Sequence, residues 1–506
     1  MHRLAKLDHA YVWHPFTQMR DWLKCEPILI VSGKGAVLRD LRGKEYLDGN
    51  SSIWTNLHGH AHPKINDALD QQLKKIAHSS ALGLANEPAS LLAAELVKLA
   101  NPSIAGSVGP RTRESQIDNR KLTKVFFSDD GSTAMEVALK LAYAFARRTR
   151  GIKKPKFLSL QNAYHGDTLG AVSLGHIDLF CNAYAGLLFR SDTVMSPYCY
   201  RCPFNRAKPE RADAREYRKC NWECVGKVEQ RFARQQKRGN SYASFVVEPL
   251  IQGAAGMIPH PTGWLRRVTE ITRGHGAQLI ADEVMTGFGR VGQASRLPKP
   301  QVDASGPEWG RRDACPTLFA CHGENVQPDF LALAKGLTGG YLPMAATLTT
   351  QAVFDAFLGD YEEFKTFFHG HSYTANQLGA AAGLANLEIL QSSASRRARA
   401  QLEQVLRNEL ESLWSLPNVG DIRQVGLIAG IELVKNWRTR EPFDLRERAG
   451  NRVCEAMARR GVLTRPIGNV IVLMPPYCTT AEQARQMVWA LQGAIAEVFP
   501  AERGIR

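Results

Sequence analysis

Nowhere does the 506-residue sequence run to the ~18 consecutive apolar residues that a membrane-crossing helix requires, so no transmembrane span is expected. Its first ten residues, Met-His-Arg-Leu-Ala-Lys-Leu-Asp-His-Ala, lack the apolar core of a secretory leader, which makes the cytoplasm the expected location. A nucleic-acid motif is also missing, although the net charge is +15. Much of that charge sits in one stretch, Arg201 to Arg238, with twelve Lys/Arg against five Asp/Glu. This stretch reads as a solvated surface insertion, and neither nucleic acid nor membrane is expected as a partner. The ten cysteines are unremarkable in number, and six of them are isolated. With 44% hydrophobic and 22% charged residues, the composition is that of a globular enzyme long enough for two or three domains.

Against this background one lysine stands out. Phe330 to Ala334 forms an apolar run read as a buried strand, Lys335 follows it, and Gly336, Gly339 and Gly340 break the chain immediately afterwards. Burial disfavours the charged amine and favours the free nucleophile, which is what a Schiff-base lysine needs. A strand-end lysine that merely reaches solvent would look the same in isolation. A second strand, Ala277 to Ala281, ends in Asp282 and Glu283 and a Gly-rich turn reaching Arg290. An Asp beside a buried lysine suits pyridoxal phosphate, whose pyridine nitrogen needs a carboxylate to stay protonated.

Together these strands resemble those of the class III aminotransferases, and the resemblance extends from Trp13 to Pro476. It implies an α/β fold of type I. The large domain has a mostly parallel seven-stranded sheet, and a smaller α/β domain lies at the C-terminus. The expected boundaries are an N-terminal arm and substrate-mouth segment at 1–60, a large domain at 61–345, and a dimer-crossing loop, long helix and small domain at 346–506. Insertions are expected at 101–120, 199–240 and 293–317.

The resemblance assigns Lys335 as the residue that holds the cofactor and moves the proton, with Asp282 as partner of the ring nitrogen. A Lys-Val-Phe-Phe strand at 124–127 enters Gly131-Ser132-Thr133 at a helix start. That arrangement is a ready anion site and, by the resemblance, the phosphate cradle. Tyr164 is expected to stack on the ring, to take part in catalysis and to touch substrate, with His165-Gly166 shaping the turn. Glu248, in Glu-Pro-x-x-Gln252, is read as ordering neighbouring groups rather than carrying a proton. The loop around Gly370 and Ser372 is expected to cross to the other subunit of a homodimer, Ser372 reaching the cofactor phosphate there. Arg465 resembles the family's clamp for a substrate carboxylate, a task suited to a planar two-pronged donor.

Trp13-His-Pro-Phe16-Thr-Gln-Met and Leu473-Met-Pro-Pro-Tyr477 are more specific. They resemble the branch that aminates the ketone of 8-amino-7-oxononanoate in biotin synthesis, with Phe16, Ile53, Trp54 and Gly370 at the substrate. Within that branch Phe16, Ile53 and Val472 replace residues that would offer a hydroxyl or an aromatic face to a sulfonium donor. Both S-adenosylmethionine and lysine therefore stay open as amino donor. Another class III enzyme for an ω-amino acid or diamine is the alternative. The paired cysteines Cys199-x2-Cys202 and Cys220-x3-Cys224 approach the spacing of a zinc ribbon, but without a clear ribbon pattern around them. No metal is required by the chemistry above.

Overall fold

The computed structural model describes residues 1–101, 120–291 and 318–500. Of the expected insertions, 101–120 lies outside the described residues except at its two ends, and 293–317 lies outside them entirely.

Seven strands build the central sheet. In spatial order they are Leu122–Ser128, Ala345–Thr350, Phe330–Leu333, Gln278–Asp282, Tyr242–Val247, Lys156–Leu160 and Asp192–Val194. Only Ala345–Thr350 runs against its neighbours; the other pairings are parallel. Parallel strands covered on both faces need apolar residues at nearly every position, and the central ones have them. Tyr242–Val247, Gln278–Asp282 and Phe330–Leu333 are buried along their whole length. The C-terminal ends of the parallel strands all open toward one edge, where open α/β sheets place their ligands.

The helix Gly131–Arg150 follows the first strand. Its start is fixed by Asp130, whose carboxylate accepts the Thr133 N–H while the Thr133 hydroxyl accepts the Asp130 N–H. Gly151, at φ +64, ends it in the left-handed conformation that favours glycine.

The basic stretch expected at the surface is only half so. Its helix Glu223–Lys237 carries Cys224, Val228 and Phe232 into the main core, where Phe232 meets Tyr242 edge-on at 5.2 Å. Spacing of four residues puts these apolar side chains on one helix face, leaving the arginines and lysines on the other.

A second, antiparallel sheet orders Val419–Val425, Ile428–Asn436, Val470–Leu473 and Pro466–Ile467. Helices Ala449–Arg459 and Ala481–Val498 pack on it through Val453, Met457, Met487 and Leu491. The N-terminal hairpin Val37–Asp40 with Glu45–Asp48 turns at Gly43 and is joined by Val462–Leu463, which pairs parallel to Glu45–Asp48. The two chain ends are thus tied together, which brings the segment 49–60 to the edge of the large sheet.

Candidate active site

Asp282 and Ala332 are paired across adjacent parallel strands, so Lys335, three residues further on, emerges beside Asp282. Both line a cavity of about 410 Å³ together with Trp54, Gly131, Ser132, Tyr164 and His165. Residues far apart in the chain meet here because most of them follow a strand end. The Lys335 backbone sits at φ +43, a strained value for a residue with a side chain, and starts a short 3-10 turn Lys335–Thr338. Burial lowers the pKa of its amine, while Asp282 and Glu248 act in the opposite sense. The Trp54 ring lies 4.9 Å from the Lys335 Nζ, and its indole N–H donates to Asn50.

Asp282 is held from two sides. Its Oδ2 lies 2.7 Å from His165 Nδ1, and its Oδ1 accepts the Val284 N–H at 3.1 Å. Burial opposes charge on His165, but Asp282 and then Glu248 outweigh it and raise the imidazole pKa. Glu248 accepts the N–H groups of Gly253 at 2.7 Å and Tyr164 at 3.2 Å. Burial pushes its carboxyl up to about 7 despite these bonds. The Tyr164 hydroxyl donates to Asp167 at 2.8 Å.

Gly131 and Ser132 begin the helix, so their N–H groups have no intrahelical acceptor. A side chain at Gly131 would meet Val284 Cγ1 at 2.7 Å, and one at Gly166 would meet Ser132 Oγ at 2.0 Å. Neighbouring segments press closely on both glycines, which keeps the helix start accessible from the cavity. Thr133, expected in the same cradle, is turned away, its hydroxyl used by the helix cap.

Other expected residues stand elsewhere. Ile53 is exposed and outside the cavity. Phe16 is 63% exposed but meets Phe180 at 5.3 Å, and Phe180 meets Tyr164 at 5.9 Å. Arg465 is exposed near the second sheet and does not line the cavity. Gly370 and Ser372 are exposed on their loop, between them His371, whose Nδ1 lies 2.6 Å from Asp129 at the cavity wall.

Thr286 was not singled out by sequence. Its hydroxyl is buried on the cavity wall without a protein partner among the described residues. The signal was present, since Thr286 belongs to the turn that follows Asp282. Phe180 carried no such signal, because only tertiary contact joins it to Tyr164.

An amine, an anion-receptive helix start and a carboxylate fixed by an imidazole fit pyridoxal phosphate. Val284 and Ser132 leave no room for a Cβ at Gly131 and Gly166, so both positions at this helix start require glycine.

Residues 20–295 and 314–495 match the aminotransferase class-III family, and the chain belongs to that family. An enzyme of Geobacter sulfurreducens, adenosylmethionine-8-amino-7-oxononanoate aminotransferase, is 43% identical over 495 residues, 98% of each chain. The crystal structure of the Methanocaldococcus jannaschii protein of the same name is 37% identical and covers 98% of each chain, with a TM-score of 0.81. An amine transaminase from an uncultivated Pseudomonas species, in its PLP-bound form, is 30% identical with a TM-score of 0.79. That match covers 96% of this chain and 99% of the other. The fold is accordingly that of the class III transaminases, and the chain is a pyridoxal-phosphate-dependent enzyme.

Proposed function

We propose that this enzyme moves an amino group to the ketone of 8-amino-7-oxononanoate, giving 7,8-diaminononanoate in biotin synthesis. The observation that carries the substrate is full-length likeness, 43% identity across 98% of both chains, to an aminotransferase named for that substrate. The site geometry carries the reaction class.

When bound, pyridoxal phosphate supplies a carbonyl that condenses with amines and a ring that takes up electrons released at the neighbouring carbon. Lys335 holds the group through its amine. The N–H groups of Gly131 and Ser132 take the phosphate, and Ser372 of the partner subunit adds a hydroxyl. Asp282, oriented by His165, would be the carboxylate that keeps the ring nitrogen protonated. Tyr164, on the cavity wall, would stack on the ring. With its amine free, Lys335 Nζ would take the proton from the donor's amine-bearing carbon and give it up to the carbon on the far side of the amine nitrogen. In the second half it runs the same transfer in reverse with the keto substrate. Lowering of its pKa by burial supports this use as a base.

The substrate is bound by Trp54 and Tyr164, with Phe16, Ile53 and Gly370 at the mouth and Arg465 on its carboxylate. Exposed apolar side chains support a homodimer with active sites at the interface: Trp13 is 86% exposed, Leu82 92% and Phe368 74%. In the dimer these are covered, and the 366–376 loop of each subunit completes the neighbour's site. The working division remains the arm 1–60, a large domain 61–345 and a C-terminal part 346–506. No helix among the described residues is long and apolar enough to cross a membrane; the reading places this biosynthetic enzyme in the cytoplasm.

S-adenosylmethionine is the donor in the relatives' name. A second reading, lysine as donor, is favoured by Ile53 at the mouth and by Val472, buried in the apolar cluster that also holds the cavity residue Met285, with the cavity residue Trp54 packed against it. Neither supplies an aromatic face to a sulfonium. The test is to load the enzyme with pyridoxal phosphate and add each donor alone, following the cofactor's absorbance. Bleaching by one donor, reversed by 8-amino-7-oxononanoate, is expected. A coloured enzyme that neither donor bleaches would replace this reading with another ω-amine transaminase.

A further inference from the structure

Away from the Lys335 cavity, the two cysteine pairs meet. Cys199 and Cys202 lie at the short turn Cys199–Arg201, and Cys220 and Cys224 at the start of helix Glu223–Lys237. All four border one void of about 10 Å³, which shares no lining residue with the active-site cavity. Such a void takes one water-sized occupant. Cys199 and Cys224 are buried, Cys202 and Cys220 half-buried, and none forms a disulfide. Each buried thiol feels two of the other sulfurs: Cys199 feels Cys224 and Cys220, and Cys224 feels Cys202 and Cys220.

The two arms are held in register by polar bonds around the void. Asn205 Nδ2 donates to the Cys199 carbonyl at 3.0 Å, and Asn205 Oδ1 accepts the Lys219 N–H at 2.9 Å. Arg206 N–H donates to the Lys219 carbonyl at 3.0 Å. Arg218 points its Nη1 at Cys220 Sγ, 3.1 Å away, and its guanidinium lies 4.0 Å from the Trp222 ring centroid.

As they stand, no three His, Cys, Asp or Glu side chains among the described residues are placed so that they could hold a metal ion, so binding has to draw the four sulfurs together. Thiols gain such an attraction only when a cation replaces their protons. We propose that Cys199, Cys202, Cys220 and Cys224 together bind one soft divalent cation of the zinc class, tetrahedrally coordinated by their four thiolates. Binding releases four thiol protons, and the four sulfurs with the cation then carry net negative charge. Arg218 offsets part of that charge. The site is structural, because four protein sulfurs leave no coordination position for a substrate. It fastens a junction: Tyr198 and Arg201, flanking Cys199, both bond Glu432 of the second sheet.

The experiment uses full-length protein purified without a metal-affinity tag and without added zinc. About one zinc per chain is expected, with four of the ten cysteines shielded from a thiol reagent until a chelator is added. Exchange with cobalt(II) should give the intense visible bands of a tetrahedral thiolate centre, and Cys202→Ser or Cys224→Ser should abolish both metal and bands. The wild-type measurements decide the matter even if the variants fail to fold. Protein with almost no zinc that takes up no cobalt, or a Cys199–Cys202 disulfide in the unreduced protein, would overturn the proposal.

Discussion

His165 Nδ1 stands 2.7 Å from Asp282 Oδ2, with the imidazole fully buried and the carboxylate 6% exposed. A buried carboxylate with this partner is fixed in orientation, and the pair is shielded from water, where the bond would be weaker. If Asp282 sets the protonation of the cofactor ring, His165 acts through it as a positioning residue. A hydrogen bond to a charged group contributes about 1.5–3 kcal/mol, or roughly ten- to a hundredfold in rate. His165→Phe is expected to lower kcat/KM by that factor and to shift the cofactor's absorbance. An unchanged spectrum and rate would remove His165 from the mechanism.

Lys335→Ala removes the amine from the cavity while leaving the helix start at Gly131 and the Asp282 carboxylate in place. Cofactor is expected to bind partly, since its phosphate contacts survive. Turnover is expected to fall by at least the factor of about 10²–10⁴ supplied by a positioned proton carrier. Single-turnover assays with dialysed, reloaded protein separate the two effects.

How much of this was legible in the sequence depends on whether a residue's task is local. Lys335 and Asp282 follow buried apolar runs directly, so their place at the sheet edge could be read from the chain. The strands Leu122–Ser128, Gln278–Asp282 and Phe330–Leu333 were legible for the same reason, whereas Ala345–Thr350 and Asp192–Val194 were not read. Thr133 was not, because its hydroxyl is claimed by the Asp130 cap, a choice that depends on rotamer and not on residue type. The helix Glu223–Lys237 was misread as surface because its charge hides a four-residue apolar spacing, Cys224, Val228 and Phe232. Arg465, Gly370 and Ser372 lie outside the cavity of their own chain. Placing them needs a second subunit or a bound substrate, and neither is encoded locally.

Gly166 sits at φ +122, and a Cβ there would lie 2.0 Å from Ser132 Oγ, so Gly166→Ala meets both backbone strain and a collision. Relief requires the Ser132 side chain, and with it the start of the helix, to move away from the cavity. Loss of cofactor affinity by roughly tenfold or more is expected, the cost of about 1–3 kcal/mol for such strain. Titration of apo-protein with pyridoxal phosphate measures it. Equal affinity in the variant would mean that the cradle does not depend on this approach.

Glu283, fully buried, accepts the N–H groups of Ala320 at 2.6 Å and Cys321 at 2.8 Å. Burial nonetheless pushes its carboxyl from 4.5 up to about 7. Between those values the folded chain keeps a proton that the unfolded chain has lost. Stability from this group therefore falls as pH rises through that window. Relative to Glu283→Gln, which cannot titrate, the wild type is expected to lose on the order of 1–3 kcal/mol between about pH 5 and 8. Denaturant midpoints of both proteins across that range give the slope. A difference that stays flat with pH would mean that the carboxylate is fully ionised in the folded chain.

Arg423 is fully buried and joins the second sheet to the large domain. Its Nη1 donates to Asp421 at 2.9 Å and to Glu432 at 2.6 Å, and its Nε donates to the Gly256 carbonyl at 3.1 Å. Gly256 closes the turn whose first residue, Gly253, donates to Glu248 beside Asp282. Removing the guanidinium alone leaves two carboxylates buried without it, so Arg423→Met is expected to cost about 3–5 kcal/mol. Replacing all three, with Asp421→Asn and Glu432→Gln added, removes the unpaired charge and should recover part of that loss. Because the turn at Gly253 loses its anchor in both variants, KM is expected to rise in both while stability differs between them. A triple variant no more stable than Arg423→Met would show that packing, rather than stranded charge, sets the cost.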